Sequence, residues 1–309
     1  MLSVFACPRA FSNSYIAAIQ RKAIQSWLRL HSQVEVILMG RDEGVAEVSQ
    51  EFGLRYIPEI EYNERGVPIL SSLFRLAAQH SSYDLLVYTN ADILISSRLV
   101  KALQAIQQRW KNFLLVSAPW IISYDEVEEV NGNETLLIQR AHKSPTPSGV
   151  DIFAFSKSTY WKVFVQMPPF LVGRLAWDFW LMAEPVLRGI PAIDGTDYVT
   201  IFHPDDRRST HYLGAEQAVV YTNHPDMQYN ATLSDVAHQI TRLELPYELD
   251  AYGRLISRVV GGRWGGWLRQ NYKKVLDQTA SWRYRLGLYR WWQPAPWREA
   301  VRTGSSQKS

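Results

Sequence analysis

Strand-like and helix-like segments alternate through the first 120 residues, and that alternation restricts the chain to a small set of folds. Residues 2–7 form an apolar run, and 14–30 place Ile16, Ile19, Ala23, Ile24, Trp27 and Leu28 at helical intervals. Residues 34–39 are a β-branched run closed by Gly40, and 42–52 read as a helix ended by Gly53. A third pair follows, with 54–60 as a short strand and 69–79 as a helix after Gly66-Val67-Pro68. Residues 84–88 are densely apolar, 100–110 and 175–187 are helical, and 113–118, 150–155 and 199–202 are further strands. The polar stretch between 118 and 150, with Asn131-Gly132-Asn133 and 144–149, reads as a long connection. Such βα units predict a mainly parallel sheet with helices on both faces, and ligands of such sheets sit beyond the carboxyl ends of the strands.

A length of 309 residues suits one large α/β domain with an appendage. Cys7 is the one cysteine, which excludes an internal disulfide and agrees with a reducing cytoplasm. The first ten residues lack the basic and long apolar regions of a signal peptide, and no apolar run is long enough to span a bilayer. The net charge of +3 conceals an asymmetry: residues 251–309 hold twelve Lys/Arg against two Asp/Glu, while 1–250 hold twenty-one against twenty-eight. That basic segment also carries Trp264, Trp267, Trp282, Trp291, Trp292 and Trp297.

The strongest local signal for chemistry is the run from Leu85 to Asp92. A buried strand that ends in Asn90 and Asp92 can bring an amide and a carboxylate to a divalent cation that neutralises a diphosphate, and the same pair also suits an Asx turn. His203 ends the run 199–202, and Asp205, Asp206, Arg207, Arg208, His211 and His224 follow it, where any of them could face a diphosphate. Nucleotide contacts are expected from Pro8, Arg9 and Phe11 after the first strand and from Arg41 and Asp42 after the second; solvated loops explain these equally well. The loop 66–72 precedes a helix whose first amides could help to bind a donor. Asp151 opens a strand and Asp178 lies at the start of a helix, where each also has a structural role available, as turn former and as partner of the helix dipole. Trp177 and Trp180 read as core, with a sugar-binding platform as the alternative for an exposed ring.

Pro8 to Phe11, the helix from Ala18 to Trp27, Thr89-Asn90-Ala91-Asp92, Gly149-Val150-Asp151, Val172-Gly173-Arg174 with Trp177-Asp178, and His203 occur in an order that resembles bacterial nucleotide-diphospho-sugar transferases of the GT-A type, related to glycosyltransferase family 2. The resemblance covers residues 1 to about 230. It implies a Rossmann-like GT-A domain over 1–245, followed over 246–309 by a basic, Trp-rich helical extension with a disordered end. It also implies transfer of a sugar from a nucleotide-diphosphate donor to an acceptor hydroxyl, in glycan or polysaccharide biosynthesis. Asp92, Asn90 and His203 become the ligands of a divalent cation, Mn2+ or Mg2+, and Asn90 stands where the family's Asp-x-Asp motif has its first aspartate. Asp178 becomes the general base of an inverting transfer, and Asp151 the alternative carboxylate beside the donor sugar.

A GT-A-fold protein that binds a sugar or a partner without turnover is the competing reading, favoured by Asn90. A sugar-phosphate nucleotidyltransferase is the other, but the Gly-rich phosphate loop it should carry after the first strand is replaced by Ala6-Cys7-Pro8-Arg9-Ala10. The arginine and tryptophan mixture at the end suits an anionic membrane surface, hence a cytoplasmic protein peripheral to the inner face of the membrane, with a glycan or lipid-linked acceptor. Packing on the main domain is the alternative for that segment. Nucleic acid is not expected, because the acidic first 250 residues repel phosphates.

Overall fold

The computed structural model describes residues 1–130, 133–143, 149–205, 224–234 and 240–258. In chain order the elements are β1 (Leu2–Ala6), α1 (Ser14–Leu28), β2 (Val34–Met39), α2 (Val45–Phe52), β3 (Arg55–Ile57), α3 (Leu70–His80), β4 (Leu85–Thr89), β5 (Leu94–Ile95) and α4 (Arg98–Gln107). Then come β6 (Leu114–Ser117), β7 (Pro119–Ser123), α5 (Tyr124–Glu129), α6 (Glu134–Arg140), β8 (His142–Lys143), β9 (Ile152–Ser156), α7 (Lys157–Lys162) and a 3-10 turn (Phe164–Gln166). The last are α8 (Trp177–Leu187), β10 (Ala192–Asp194), β11 (Ile201–Asp205), α9 (Pro225–Thr232), β12 (Tyr247–Leu249) and β13 (Leu255–Ser257).

Nine strands form one sheet in the order β13-β12-β10-β6-β9-β4-β1-β2-β3. Only β9 and β13 run against the other seven, so the sheet is mainly parallel, as the βα alternation predicts. Strands β1, β4 and β9 are buried at every position, which explains why they are continuous apolar runs rather than alternating ones. Their side chains divide between two cores. On one face Phe5, Leu86, Tyr88, Phe153 and Phe155 meet Phe74 of α3 and Trp177, Trp180 and Leu181 of α8. On the other, Val4, Ala6, Val87, Ile152 and Ala154 meet Ala23, Ile24 and Trp27 of α1 and Leu99 and Leu103 of α4. The first core is ring-rich: Phe74 stacks on Phe155 at 5.3 Å and meets Phe5 edge-on at 5.2 Å. Removing such a buried ring typically costs about 3–5 kcal/mol.

A second, four-stranded sheet, β5-β11-β7-β8, has its own small core of Leu94, Ile122, Val127 and Phe202. It corrects the expectation of a long connection between 118 and 150, because β7, α5, α6 and β8 all lie there. Of the residues that suggested a loop, Asn133 is a helix cap, and a second cap precedes it at Ser123. Ser123 and Glu126 form a capping box on α5, and Asn133 accepts from the amides of Thr135 and Leu136 at the start of α6.

Residues 247–257 add β12 and β13 to the edge of the large sheet beyond the expected boundary at 245, and Arg242 and Arg258 both bind the buried Asp194 of β10, at 2.8 and 2.9 Å. Residues 259–309, which hold the expected helical extension, and Asp206, Arg207, Arg208 and His211 lie outside the described residues. Among the described residues, no helix is long and apolar enough to cross a membrane.

Candidate functional site

The carboxyl end of β4 is where the expected residues meet. Tyr88 and Thr89 end the strand buried, and the chain turns at Asn90, with the Ile93 amide donating to the Asn90 carbonyl. Strand β9 runs antiparallel beside β4, so its first residues arrive at the same end, and Thr89 donates its hydroxyl proton to the Asp151 carbonyl at 2.9 Å. The Asn90 side-chain amide reaches the Asp151 carboxylate at 3.3 Å, so its hydrogen bond leads across the site rather than into its own turn.

His203 comes from the small sheet, which β11 and β5 fasten to this edge. Its Nδ1 lies 3.2 Å from the other Asp151 carboxylate oxygen, and its Nε2 lies 3.8 Å from Asp92. The ring is thus held between the Asp151 and Asp92 carboxylates, and in its neutral form one of its nitrogens can serve as a metal ligand. The second Asp92 oxygen, Oδ1, is buried and has no hydrogen-bond partner among the described residues. A buried carboxylate oxygen without a donor carries a desolvation cost that a cation would remove. The donor set of one carboxylate oxygen and one imidazole nitrogen therefore fits a divalent ion, and the mixed O and N character suits manganese better than magnesium. Among the described residues no three His, Cys, Asp or Glu side chains form a complete metal cage, so this pair would supply part of a coordination shell.

Asp178 enters from α8. Burial, reinforced by the charge of Asp151, pushes its carboxyl up to about 6, against the pull of the Phe179 and Asp178 amides. The carboxylate sits in the first turn of its helix, near the positive end of the dipole, and burial gives it a raised affinity for protons. The helix begins at Ala176, whose φ of 76° is the one left-handed value at a non-glycine among the described residues and costs about 1–2 kcal/mol. The approach to it is clamped. The fully buried Asn230 of α9 accepts from the Leu171 amide at 2.8 Å and donates to the carbonyls of Leu171 and Leu175, both at 3.0 Å. Leu70 and Val172 exchange backbone bonds with Phe170 and Pro68, so the α3 entry that could have offered free amides to a donor is partly used in holding this loop. Trp177 and Trp180 are core, with Trp177 edge-on to Tyr88 at 5.7 Å.

A second cluster beside that loop escaped sequence reasoning. Asp226, 1% exposed, accepts from Arg65 at 2.8 Å and from Arg174 at 3.4 Å. Burial raises its carboxyl, but the hydrogen bond and charge of Arg65, helped by Arg174, bring it below the ordinary range. His224 caps α9 by accepting the Asp226 amide proton at Nδ1. The three chain segments lie 161 and 52 residues apart, and no local pattern joins them.

The expected nucleotide contacts lie on the same edge of the sheet, on the loops after β1 and β2, without a hydrogen bond to the Asp92 cluster. Arg9 is exposed, and its backbone is fixed by two bonds to the buried Gln20. Phe11 is half-buried and donates its amide to Glu43 at 2.7 Å; Gly44, with φ 83°, leaves only 2.7 Å between its missing Cβ and Phe11, so a side chain there would separate the two loops. Arg41 is exposed above the Tyr62 ring, 4.6 Å from its centroid, Asp42 is exposed and Pro8 is buried. Burial, with Asp42 adding, pushes the Cys7 thiol up to about 12, which makes it inert as a nucleophile.

No protein-family model and no curated protein sequence matches the chain. Solved structures do. A protein from Desulfovibrio desulfuricans with the provisional description of nucleotide-diphospho-sugar transferase is similar at 15% identity over 51% of this chain and 64% of its own length, TM-score 0.31. The mannosyltransferase PcManGT from Pyrobaculum calidifontis, solved with GDP-Man and Mn2+, is similar at 12% identity over 99% of this chain and 79% of its own, TM-score 0.48. Glucosyl-3-phosphoglycerate synthase from Mycobacterium tuberculosis, solved with Mn2+, UDP and phosphoglyceric acid, is similar at 14% identity over 76% and 80%, TM-score 0.43. The chain thus spans a little under two thirds of the Desulfovibrio protein.

Proposed function

We propose that the chain is a nucleotide-sugar-dependent glycosyltransferase acting at the carboxyl end of β4. The convergence of Asn90, Asp92, Asp151 and His203, with Asp178 beside Asp151, carries this reading. Asp92 and His203 would hold a divalent cation, which when bound supplies the charge that offsets the departing nucleoside diphosphate. Asp151 is read as a positioning residue rather than as a base, since its carboxylate is divided between Asn90 and the His203 ring. Asp178 takes the proton of the acceptor hydroxyl as its oxygen forms the bond to the anomeric carbon, while the sugar's bond to the diphosphate oxygen breaks. The loops carrying Arg9, Phe11, Arg41 and Asp42 would receive the nucleotide. The acceptor is a glycan or a lipid-linked sugar, and the basic extension is read as a contact to an anionic membrane on the cytoplasmic side.

The experiment is transfer and donor hydrolysis over a panel of UDP- and GDP-sugars with and without Mn2+, on the full chain and on Asp92→Ala. Turnover that needs Mn2+ and is lost in the variant supports the proposal. Turnover untouched by Asp92→Ala would remove it. Donor or sugar binding with no turnover under any condition would favour the second reading, a binding protein, which the engagement of Asn90 with Asp151 makes specific.

A further inference from the structure

The opposite end of the sheet carries a site that glycosyl transfer does not use. A cleft of about 510 Å3 is lined by Arg109, Lys111, Asn112, Lys162 and Arg188, with Trp110 at one wall. Asn112 leads into β6, Gly189 to Pro191 lead into β10, and Lys162 ends the helix that follows β9, which runs the other way. All of these belong to the amino end of the parallel strands, whereas Asp92 and His203 lie at the carboxyl end.

The cleft is built for negative charge. Arg188 is held in place by Glu184 at 2.6 Å, by Gln166 at 2.8 Å and by the Lys162 carbonyl at 3.0 Å. Among the described residues no carboxylate pairs with Arg109, Lys111 or Lys162, although the first 250 residues are acidic in sum. Cations just past the ends of α4 and α8 also meet the negative ends of those helices, which accounts for Arg109 and Arg188 but not for Lys111 and Lys162.

Two further observations select the ligand. Beside Lys162 the side chain of Trp161 is 53% exposed, and Val165, next to the Gln166 that holds Arg188, is 46% exposed. An exposed indole and an aliphatic side chain among exposed cations match the headgroup region of a bilayer, where tryptophan sits at the interface and lysine and arginine meet lipid phosphates. The chain's course also agrees. Strand β13 runs antiparallel to β12, with Ser257 opposite Tyr247, so the last described residue, Arg258, lies at the amino end, where the Trp110 ring packs on Tyr247 at 4.8 Å, and residues 259–309 follow it in sequence. That segment carries ten Lys/Arg, two Asp/Glu and six tryptophans.

We propose that the amino end of the sheet, through Arg109, Lys111, Lys162 and the exposed Trp161 and Val165, docks the folded domain on an anionic phospholipid surface. The proposal does not depend on the transfer reaction. It differs from a membrane contact made by the extension alone, because it places part of the binding in the folded domain.

The test is co-sedimentation of the full chain with vesicles of equimolar phosphatidylglycerol and phosphatidylcholine, against pure phosphatidylcholine. The triple variant Arg109→Gln, Lys111→Gln, Lys162→Gln is compared with the native chain, with unchanged circular dichroism and Tm as the folding control. Preference for the anionic vesicles, reduced roughly a hundredfold in the triple variant at about 1 kcal/mol per cation near the surface, supports the proposal. Trp161→Ala, tested alone, should weaken binding severalfold. Native-like binding by a folded triple variant would assign the contact to the extension and overturn the inference. So would an absence of vesicle binding combined with thermal stabilisation by inorganic phosphate that the triple variant loses, which would make the cleft a site for a free anion.

Discussion

The two ends of the large sheet are built on opposite principles. At the carboxyl end carboxylates are crowded together and half-buried: Asp151 lies against His203 and Asn90, Asp92 keeps a buried oxygen without a donor among the described residues, and Asp178 carries a raised pKa behind a strained Ala176. At the amino end cations stand exposed and apart, and the backbone there is relaxed, with Gly189 taking the positive φ that follows α8. One end concentrates unfavourable interactions that a substrate and a cation would relieve. The other offers charge to something large and negative at little cost to folding. Energetic tension therefore marks where covalent chemistry is expected, and its absence marks a surface for association.

That contrast breaks most easily at Asp178. Asp178→Asn should lower transfer about 10²–10⁴-fold, the usual contribution of a general base. The same change should stabilise the fold at pH 8 by about 1–2 kcal/mol, taking the pKa rise at 1.36 kcal/mol per unit and discounting it for partial exposure. The sign follows from the direction of the shift. A folded pKa near 6, above the ordinary 3.8, stabilises the fold fully below pH 3.8, and that contribution is lost as pH rises through 6. Thermal melts from pH 4 to 8 should therefore show the native chain losing stability across that window and the variant not, while native turnover rises with pH through about 6. Equal melts would mean that Asp178 is an ordinary solvated carboxylate.

Asp92→Ala comes next, with an expected loss of about 10²–10³-fold in transfer, the scale of removing one preorganised charge-stabilising group. Its Tm should not fall, because a buried oxygen without a partner among the described residues is removed. A large fall in Tm would assign Asp92 to the fold instead. Asn90→Asp should sharpen the picture more gently, raising Mn2+ affinity about tenfold, or about 1.4 kcal/mol, by adding a second carboxylate beside the first. Its check is the Mn2+ concentration dependence of Tm, where an unchanged midpoint would count against a cation between Asp92 and His203. The smallest effect belongs to the other end: Arg109→Gln should shift stability by less than about 0.5 kcal/mol and leave transfer unchanged. A measurable loss of turnover there would tie the two ends together.

Much of the fold was legible because the βα units combine a largely apolar strand with a 3.6-residue repeat, as in β1 with α1. The small sheet was not. His142–Lys143 and Leu94–Ile95 are two-residue strands with no period to read, and the caps Ser123 and Asn133 look like loop residues until their hydrogen bonds are known. At the site, Asn90, Asp92, Asp151, Asp178 and His203 were all named from position, but position alone could not show which of these side chains touch one another. Only the arrival of β9 antiparallel to β4 reveals that the Asp151 carboxylate is already committed to an imidazole and an amide. The Arg65, Arg174 and Asp226 cluster was hidden for the same reason, since the segments that meet there are far apart in the chain.

The reversal of direction at β13 decides how the molecule can be mounted. Because the chain passes Ser257 heading away from the strand ends that hold Asp92, a support attached after Arg258 holds the domain like a cup standing on its base, its mouth turned outward. Sugar acceptors carried on the support itself would have to be long enough to reach over the rim, whereas free oligosaccharides would enter unhindered.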